Sequence, residues 1–355
     1  MKTARIAYFS GTGNTKRAAG IVGAELEKSG WKVETIDIGS GGEPPRSSAD
    51  DLLLLAFPAL GFSPPSYMVA YAKRLPRASG TRAAVLCCVG SSWSKGGISP
   101  GWGGSATLTT LAILRARGYA PDASAEASYP ANWTQAAEPP TGIQADAMLA
   151  HGDLQAKAFG LALARGEKPF VRRGIVTKTL MRLVSFVFRL FLRRGLARLY
   201  VADSSCTSCG LCARSCPVGA IAMRRGKPEW SLSCAICNRC INVCPSSSIQ
   251  TSMARLILVA ALNLAAMLAA LPLATAFVRG GLPRLPGAAE SIAIALCDLI
   301  FFAAFTALQL GPFDAVIRAL ERWPRSKKLF EASHTKGYAR YLAPGFKPGA
   351  NPYRD

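Results

Sequence analysis

Histidine is scarce in this chain of 355 residues, and 21 acidic residues stand against 42 basic ones. The two histidines, His151 and His334, lie far from any cysteine run or candidate nucleophile, and we expect both to be solvated surface residues. The sequence contains no HExxH motif and no recognisable Ser–His–Asp arrangement. No general acid–base pair is visible either, and the question whether the chain is an oxidoreductase enzyme or an electron carrier stays open.

Two nucleotide-binding motifs are also missing. A glycine-rich loop follows the first apolar run, at residues 10–15, but it lacks the Gly-Lys-Ser/Thr ending of a P-loop. It also lacks the third glycine of the dinucleotide fingerprint, so direct oxidation of a nicotinamide cofactor is not expected. The formal net charge of +21 indicates a negatively charged partner. Nucleic acid is not expected as that partner, because the basic residues lie beside predicted membrane segments.

Eight of the eleven cysteines form two evenly spaced runs that each end in Cys-Pro. Both runs read Cys-x-x-Cys-x-x-Cys-x-x-x-Cys-Pro. In this spacing three cysteines fold around one [4Fe-4S] cluster, and the fourth ligates the other cluster. The expected ligand sets are therefore crossed. They are Cys206, Cys209, Cys212 and Cys244 for the first cluster, and Cys234, Cys237, Cys240 and Cys216 for the second.

A zinc site or a disulfide framework is the alternative to iron–sulfur clusters. Zinc sites use paired CxxC ligands rather than triplets, and disulfide frameworks belong to small secreted domains. The segment resembles the two-cluster bacterial-type ferredoxins over about residues 200–252, which implies a small α+β domain that moves single electrons. Thiolate clusters imply a reducing compartment. Cys87, Cys88 and Cys297 are expected to be buried structural thiols.

The N-terminal residues predict a strand, an anion-binding loop and a helix. Ala4–Phe9 is an apolar strand-like run, and a helical pattern continues through Ser29. Backbone N–H groups, the helix dipole and hydroxyl side chains of a loop in this position bind phosphate. An ordinary glycine-rich turn is the alternative. The loop residues are Ser10, Gly11, Thr12, Gly13, Asn14 and Thr15.

Strand and helix patterns continue to alternate after this loop. Strand-like runs lie at Lys32–Ile38, Leu52–Phe57 and Ala83–Val89, and helical stretches lie at Ser66–Leu75 and Ser105–Arg117. This alternation predicts an α/β fold, a doubly wound parallel sheet with helices on both faces. In such sheets a ligand binds beyond the carboxyl ends of the strands.

The glycine-rich loop resembles the Ser/Thr-x-Thr-Gly-x-Thr phosphate loop of flavodoxins, and the resemblance covers about residues 1–165. It implies a flavodoxin-like fold that binds FMN, with the FMN phosphate on residues 10–15. By the same resemblance, the loops at residues 58–65 and 90–104 flank the isoalloxazine ring. Trp93 is the first choice for an aromatic stacked on the ring and Phe62 the second, with ordinary loop aromatics as the alternative.

Residues 165–200 form a basic linker with ten Lys or Arg residues and one acid, Glu167. Leu180, Leu183, Val184, Val187, Phe188 and Phe191 recur at helical spacing, with Arg182, Ser185, Arg189 and Arg193 on the other side. The pattern predicts an amphipathic helix. We expect it to lie on an anionic membrane surface, and the alternative is a helix docked on its own domain.

Two long apolar runs follow the cysteines. Leu256–Val278 has no charge over 23 residues, and Ser291–Leu310 has one, Asp298. Together they predict a transmembrane hairpin with a turn at residues 279–287. Asp298 is expected to be a neutral carboxyl bonded to the neighbouring helix, for example through Asn263. The alternative is a proton relay, a quinone contact or a helix-pairing group.

The basic flanks of the hairpin predict its orientation. The short turn has two arginines, whereas the linker before the hairpin and the tail after Gly311 carry ten and nine basic residues. The positive-inside rule places both termini and both redox domains on the cytoplasmic side of the inner membrane of a prokaryote. The tail is expected to lie on the membrane or to dock a partner.

The combination resembles prokaryotic flavodoxin–ferredoxin fusion proteins, a family that implies electron transfer and prescribes no substrate. The predicted domains are a flavodoxin-like domain, a linker helix, a ferredoxin domain, a transmembrane hairpin and a basic cytoplasmic tail, at residues 1–165, 166–200, 201–252, 255–311 and 312–355. We expect a membrane-anchored carrier that passes electrons between FMN and two [4Fe-4S] clusters.

This carrier would link a low-potential cytoplasmic donor to a membrane or protein acceptor. Acidic redox proteins such as a free ferredoxin or flavodoxin are expected donors, because the basic surface attracts them. The acceptor is expected to be a membrane protein or a quinone. One alternative is an FMN-dependent reductase of a quinone or another lipid-soluble substrate, and another is a non-catalytic assembly or sensor subunit.

Overall fold

The computed structural model describes residues 1–47, 50–172, 174–281 and 286–348. Within these residues the N-terminal part forms a sheet of five parallel strands in the order β2-β1-β3-β4-β6, with a short strand, β5, antiparallel to the end of β4. This is the 2-1-3-4-5 order of a flavodoxin-like doubly wound sheet, which confirms the predicted fold class. The strands are β1 (Thr3–Tyr8), β2 (Lys32–Asp37), β3 (Leu52–Pro58), β4 (Arg82–Ser94), β5 (Gly97–Ser99) and β6 (Ala120–Pro130).

Helices cover both faces of this sheet. One face packs on α1 (Asn14–Lys28) and α4 (Gly142–Ala164), and the other packs on α2 (Ser66–Arg74) and α3 (Ala106–Ala116). The central strand β3 is buried along almost its whole length because helices lie on both sides of it. The carboxyl ends of β1, β3 and β4 therefore meet at one edge, which is where the site lies.

The linker is helical and docks on the N-terminal domain. It consists of α5 (Ile175–Val187), a π-helical turn and α6 (Arg193–Ala197). The Ser185 hydroxyl donates to the carbonyl of Phe62 over 2.6 Å, and the Phe188 ring packs against the backbone of Gly61. The docked alternative is thus observed. The helix also leaves other apolar side chains more than half exposed, including Leu180, Leu183 and Phe186.

The cysteine-rich domain follows as a small α+β unit. Its first strand, β7 (Tyr200–Ala202), pairs antiparallel with its last, β10 (Ile249–Thr251), and β8 (Ile221–Arg224) pairs with β9 (Lys227–Trp230). Two short helices, α7 (Leu211–Arg214) and α8 (Arg239–Val243), begin inside the two cysteine triplets.

Two helices in the C-terminal part are long and apolar enough to cross a membrane. They are α9 (Met253–Gly281) and α10 (Gly287–Leu308), which pack against each other. Residues 282–285 of the predicted turn lie outside the described residues. Asp298 has no hydrogen bond or ion pair with another described residue, and the amide of Asn263 donates instead to Val259 of its own helix over 2.7 Å. The Asp298–Asn263 pairing is therefore not formed.

The tail returns from the hairpin and docks on both redox domains. After α11 (Asp314–Arg322) and α12 (Pro324–Glu331), the N–H of Tyr341 donates to Asn242 over 2.8 Å. The N–H of Ala343 donates to the carbonyl of Thr12 over 2.8 Å. The described part of the tail therefore contacts its own chain, and residues 349–355 of the predicted tail lie outside the described residues.

A buried ion cluster ties the hairpin to the cysteine-rich domain. The Asp314 carboxylate is 3 % exposed and lies 3.1–3.2 Å from the guanidinium groups of Arg198, Arg255 and Arg318. Arg255 also pairs with Glu321 and donates to the carbonyl of Arg198 over 2.8 Å. These residues belong to the linker end, the first turn of α9 and α11, so the cluster fixes three segments at one point.

Replacing Asp314 with Asn should lower the free energy of unfolding by about 3–5 kcal/mol, because it leaves the buried Arg198 without a counter-ion and Arg255 with Glu321 alone. Urea unfolding in detergent, followed by circular dichroism, measures the loss. Glu43→Gln is the matched control, since the Glu43–Arg74 pair is exposed and should change stability by less than about 1 kcal/mol. Equal losses in the two variants would contradict a structural role for the cluster.

Candidate functional site

The eight cysteines of the two runs line two cavities, four in each. Cys206, Cys209, Cys212 and Cys244 line the first, and Cys216, Cys234, Cys237 and Cys240 line the second. We call these the first and second cluster cavities. The grouping is the crossed one, because the last cysteine of each run reaches the cavity formed by the triplet of the other run.

Each triplet curls around its cavity through two left-handed residues at equivalent positions. Ser208 and Gly210 flank the middle cysteine of the first triplet with φ of 59° and 71°. Ile236 and Asn238 flank the middle cysteine of the second with φ of 51° and 56°. Gly and Asn accept this conformation readily, whereas a β-branched Ile rarely does. Ile236 is therefore strained in this backbone conformation, and the packing around the second loop has to hold it there.

The two cavities differ in burial. Cys209 is exposed and Cys206 half-buried, whereas Cys234 and Cys240 are buried. Burial raises the pKa of the Cys234 thiol to about 12, so this cysteine is a neutral thiol at neutral pH without a metal. Binding of iron deprotonates such ligands. The backbone N–H of Ala220 donates to Cys216 Sγ over 3.2 Å, a contact of the kind that tunes cluster potentials.

The predicted phosphate loop lies between the carboxyl end of β1 and the start of α1. Ser10, Thr12 and Thr15 are buried, and the N–H of Gly13 donates to Ser10 Oγ over 3.0 Å. Gly13 has φ of 109°, which favours glycine. Among the described residues, the N–H groups of Asn14, Thr15 and Lys16 at the start of α1 have no acceptor, whereas that of Arg17 donates to the carbonyl of Gly13. Buried hydroxyls and free N–H groups at a helix start fit a phosphate group.

A cavity of about 50 Å³ adjoins this loop. It is lined by five of the six predicted loop residues, Ser10, Gly11, Thr12, Asn14 and Thr15, and reaches the first residues of the 58–65 loop and Gly90 at the start of the 90–104 loop. Its volume suits the phosphate end of a flavin nucleotide, whereas a whole cofactor needs several hundred Å³. The ring would therefore have to displace neighbouring side chains, among them Leu60.

Neither predicted stacking aromatic lines this cavity. Phe62 packs edge-on against Trp102, with ring centroids 6.1 Å apart. Trp93 lies in the β4–β5 hairpin and is 43 % exposed. The structure does not bring either ring to the phosphate loop, and stacking on a flavin stays a prediction for both. Cys88 does line the cavity, and burial raises the pKa of its thiol to about 12.

Sequence reasoning missed Arg239, which lies between the phosphate loop and the second cluster cavity. Its guanidinium group donates to the carbonyls of Ser10 over 2.6 Å, Gly11 over 3.0 Å and Ser215 over 2.9 Å. The side chain is 2 % exposed and forms no ion pair with a described carboxylate. A buried positive charge without an acidic partner is costly, so it indicates a negative group nearby. The only sequence signal is an arginine between Cys237 and Cys240.

Cys237 brings the two sites together. It lines both the cavity beside the phosphate loop and the second cluster cavity. A Cβ atom built on Gly11 would lie 2.6 Å from the Cys237 carbonyl oxygen, so only glycine permits this approach of the two backbones. The phosphate loop and the second cluster cavity are therefore immediate neighbours.

The family of 4Fe-4S dicluster domains matches residues 205–249, which include all eight cysteines. This segment therefore carries two [4Fe-4S] clusters, as the spacing predicted. No curated protein matches the chain.

Several solved flavodoxins are similar to the N-terminal half. That of Streptococcus pneumonia TIGR4 is 14% identical and has a TM-score of 0.30, over 44% of this chain and 98% of that one. The flavodoxin of Megasphaera elsdenii is 20% identical with a TM-score of 0.31, and the match covers 46% of this chain and 98% of that one. Flavodoxin 2 of Bacillus cereus is 15% identical with a TM-score of 0.33, and the match covers 47% of this chain and 99% of that one.

The strand order, rather than these likenesses, identifies the N-terminal domain as flavodoxin-like. A flavodoxin-like domain and a dicluster segment in one chain make it a redox protein that transfers electrons.

The crossed grouping predicts which cysteine variants lose the same cluster. Cys216→Ser and Cys237→Ser should each remove the second cluster, and Cys212→Ser and Cys244→Ser the first, so each variant keeps roughly half of the iron. Iron content shows how much of the iron each variant loses, and the EPR spectrum of the reduced protein shows which of the two clusters remains. Cys88→Ser is the control and should keep all the iron. If Cys216→Ser and Cys212→Ser lost the same cluster, the grouping would be wrong.

Arg239→Gln should lower the midpoint potential of the second cluster and leave the first nearly unchanged. The lost charge is buried and adjoins Cys237, and net charge near a cluster sets its potential. EPR-monitored redox titration measures both potentials. Arg214→Gln is the control, because Arg214 bonds to the Cys209 carbonyl over 2.8 Å at an exposed position where water screens its charge. A larger shift in the control would refute the role of burial.

Proposed function

We propose that the chain is a membrane-anchored electron carrier in which FMN and two [4Fe-4S] clusters form one path. The observation that carries this proposal is the position of Cys237, which lines both the phosphate-loop cavity and the second cluster cavity. When bound, FMN exchanges one or two electrons, whereas each cluster passes one at a time. The protein supplies binding, orientation and tuning of the potentials.

Separate groups of residues would bind the FMN phosphate, bind the clusters and hold the two domains together. The hydroxyls of Ser10, Thr12 and Thr15 and the start of α1 would hold the FMN phosphate. The two cysteine sets would hold the clusters. Arg239 holds the phosphate loop against the second cysteine loop, because it bonds to carbonyls on both sides of the domain boundary. The side chains of Ala343 and Phe346 cover Gly13 and shield the loop from water.

We further propose that α9 and α10 anchor the chain in the cytoplasmic membrane, with both redox domains on the cytoplasmic side. The length and apolar character of the two helices support the anchor, and the basic flanks support the orientation. The linker lies at the base of this hairpin, since Gly195 of α6 adjoins Val259 of α9. The exposed leucines of α5 would then rest on the membrane surface while its other face holds the N-terminal domain.

Fractionation of the cell extract into membranes and soluble protein tests the anchor directly. The chain should float with membrane vesicles in a density gradient and stay with them after an alkaline carbonate wash. The redox domains should be protected from protease in sealed right-side-out vesicles and cleaved in inverted ones. Recovery in the soluble fraction, or cleavage in right-side-out vesicles, would overturn the anchor or its orientation.

The donor is proposed to be an acidic redox protein, such as a ferredoxin or flavodoxin, guided by the net charge of +21. Its rate of reduction of the chain should fall by about tenfold or more between roughly 0.01 M and 0.15 M salt, where the Debye length shortens from about 30 Å to about 8 Å. Stopped-flow bleaching of cluster absorbance measures this rate. A small uncharged reductant is the control. A salt-independent rate with the acidic donor would contradict docking by charge.

A further inference from the structure

A cavity of about 260 Å³ lies between the cysteine-rich domain and the helices α11 and α12, and the proposed electron path does not use it. Among the described residues, eight Lys and Arg side chains line it against three glutamates, Glu229, Glu321 and Glu331. Its apolar wall includes Trp230, which stacks on Tyr200 with ring centroids 5.4 Å apart.

The acids near this cavity do not balance its basic residues. Glu229 is shared by Arg224 at 3.8 Å and Arg322 at 2.7 Å. Glu331 is shared by Lys227 at 3.1 Å and Lys327 at 3.9 Å.

Glu321 and the buried Asp314 behind the wall pair with the arginines of the ion cluster. Four acidic side chains therefore stand against eight basic ones at this cavity, an excess of four positive charges. Arg225 lines the cavity and forms no ion pair with a described residue. This excess favours a negatively charged ligand.

With α9 and α10 in the membrane, as proposed above, α11 places the cavity beside the membrane surface. The helix continues from α10, and an exposed apolar stripe runs along it through Val316, Leu320 and Trp323, which are 56 %, 41 % and 53 % exposed. On its opposite face Arg318 and Glu321 line the cavity. Because α10 and α11 form one continuous helical run over Gly287–Arg322, α11 would leave the proposed membrane span at its cytoplasmic end with this stripe toward the lipid. Its charged face, and with it the cavity, is then at the depth of the lipid headgroups.

We propose that this cavity binds the phosphate headgroup of an anionic phospholipid, an inference that rests on the proposed membrane anchor. Basic pockets at the cytoplasmic end of membrane helices bind such headgroups. Arg322 and Lys327 stand at the exposed rim and would contact the phosphate, while Trp230 and Phe330 offer an apolar wall to the glycerol part.

The site also adjoins both clusters. Tyr200 lines this cavity and the second cluster cavity, and Pro228 lines this cavity and the first. A bound headgroup would therefore lie one side chain away from each cluster, so the headgroup charge would act on both.

Lipid retention by the full chain tests the site. The protein is reconstituted in nanodiscs of phosphatidylcholine with about one fifth phosphatidylglycerol, and retained lipids are counted by native mass spectrometry after mild release. The wild-type chain should retain phosphatidylglycerol about tenfold above its share of the bilayer. Arg322→Gln/Lys327→Gln should lose most of this enrichment, since each basic residue near a headgroup contributes about 1 kcal/mol. Unchanged iron content shows that the variant is folded.

Lys32→Gln/Lys73→Gln is the matched control, because it removes two exposed charges from the N-terminal domain, far along the chain from the cavity. It should keep the enrichment. Equal loss in both double variants, or no enrichment in the wild type, would overturn the proposal. Displacement of the lipid by inorganic phosphate alone would identify a site for free phosphate instead and would also overturn it. A chain that floats with membranes but shows no enrichment refutes only this site, whereas a chain that does not float refutes the anchor.

Discussion

The buried guanidinium group of Arg239 is the interaction on which the arrangement of the two redox domains depends. It donates to carbonyls of the phosphate loop and to Ser215 of the cysteine-rich domain, and it has no carboxylate partner among the described residues. Such a charge is stable only where its donors are satisfied and negative groups lie close. A phosphate on one side and thiolate-bound iron on the other would supply them. The same residue therefore holds the two domains together and would add its charge to both proposed cofactor sites.

The rest of the chain closes around this contact. The linker docks through Ser185 and Phe188, the ion cluster at Asp314 fixes the hairpin, and the tail ends on the phosphate loop at Ala343. Segments far apart in sequence thus hold one interface together. The exposed apolar residues of α5 and α11 remain outside this packing, which is why both helices suit a membrane surface.

Sequence patterns predicted those parts of the molecule that depend on residues close together along the chain. Cysteine spacing predicted how the eight cysteines group around two cavities, and the alternation of strands and helices predicted the parallel sheet. Helix α4 carries no clear periodic signal in the sequence, because its many alanines and glycines blur the apolar stripe. Contacts of long sequence separation, such as Arg239 to Ser10 or Tyr341 to Asn14, leave no periodic signal. The linker pattern indicated a helix but could not show which face its own domain covers.

The central claim is that a flavin and two clusters share one chain at adjoining sites, and the cofactor content of the intact protein tests it most directly. The protein would be extracted anaerobically from membranes with mild detergent, and FMN and iron would be measured per chain. We expect about one FMN together with two [4Fe-4S] clusters. Intact clusters without FMN would contradict the claim, and would mean that the flavodoxin-like domain serves docking while the cysteine-rich domain alone carries electrons.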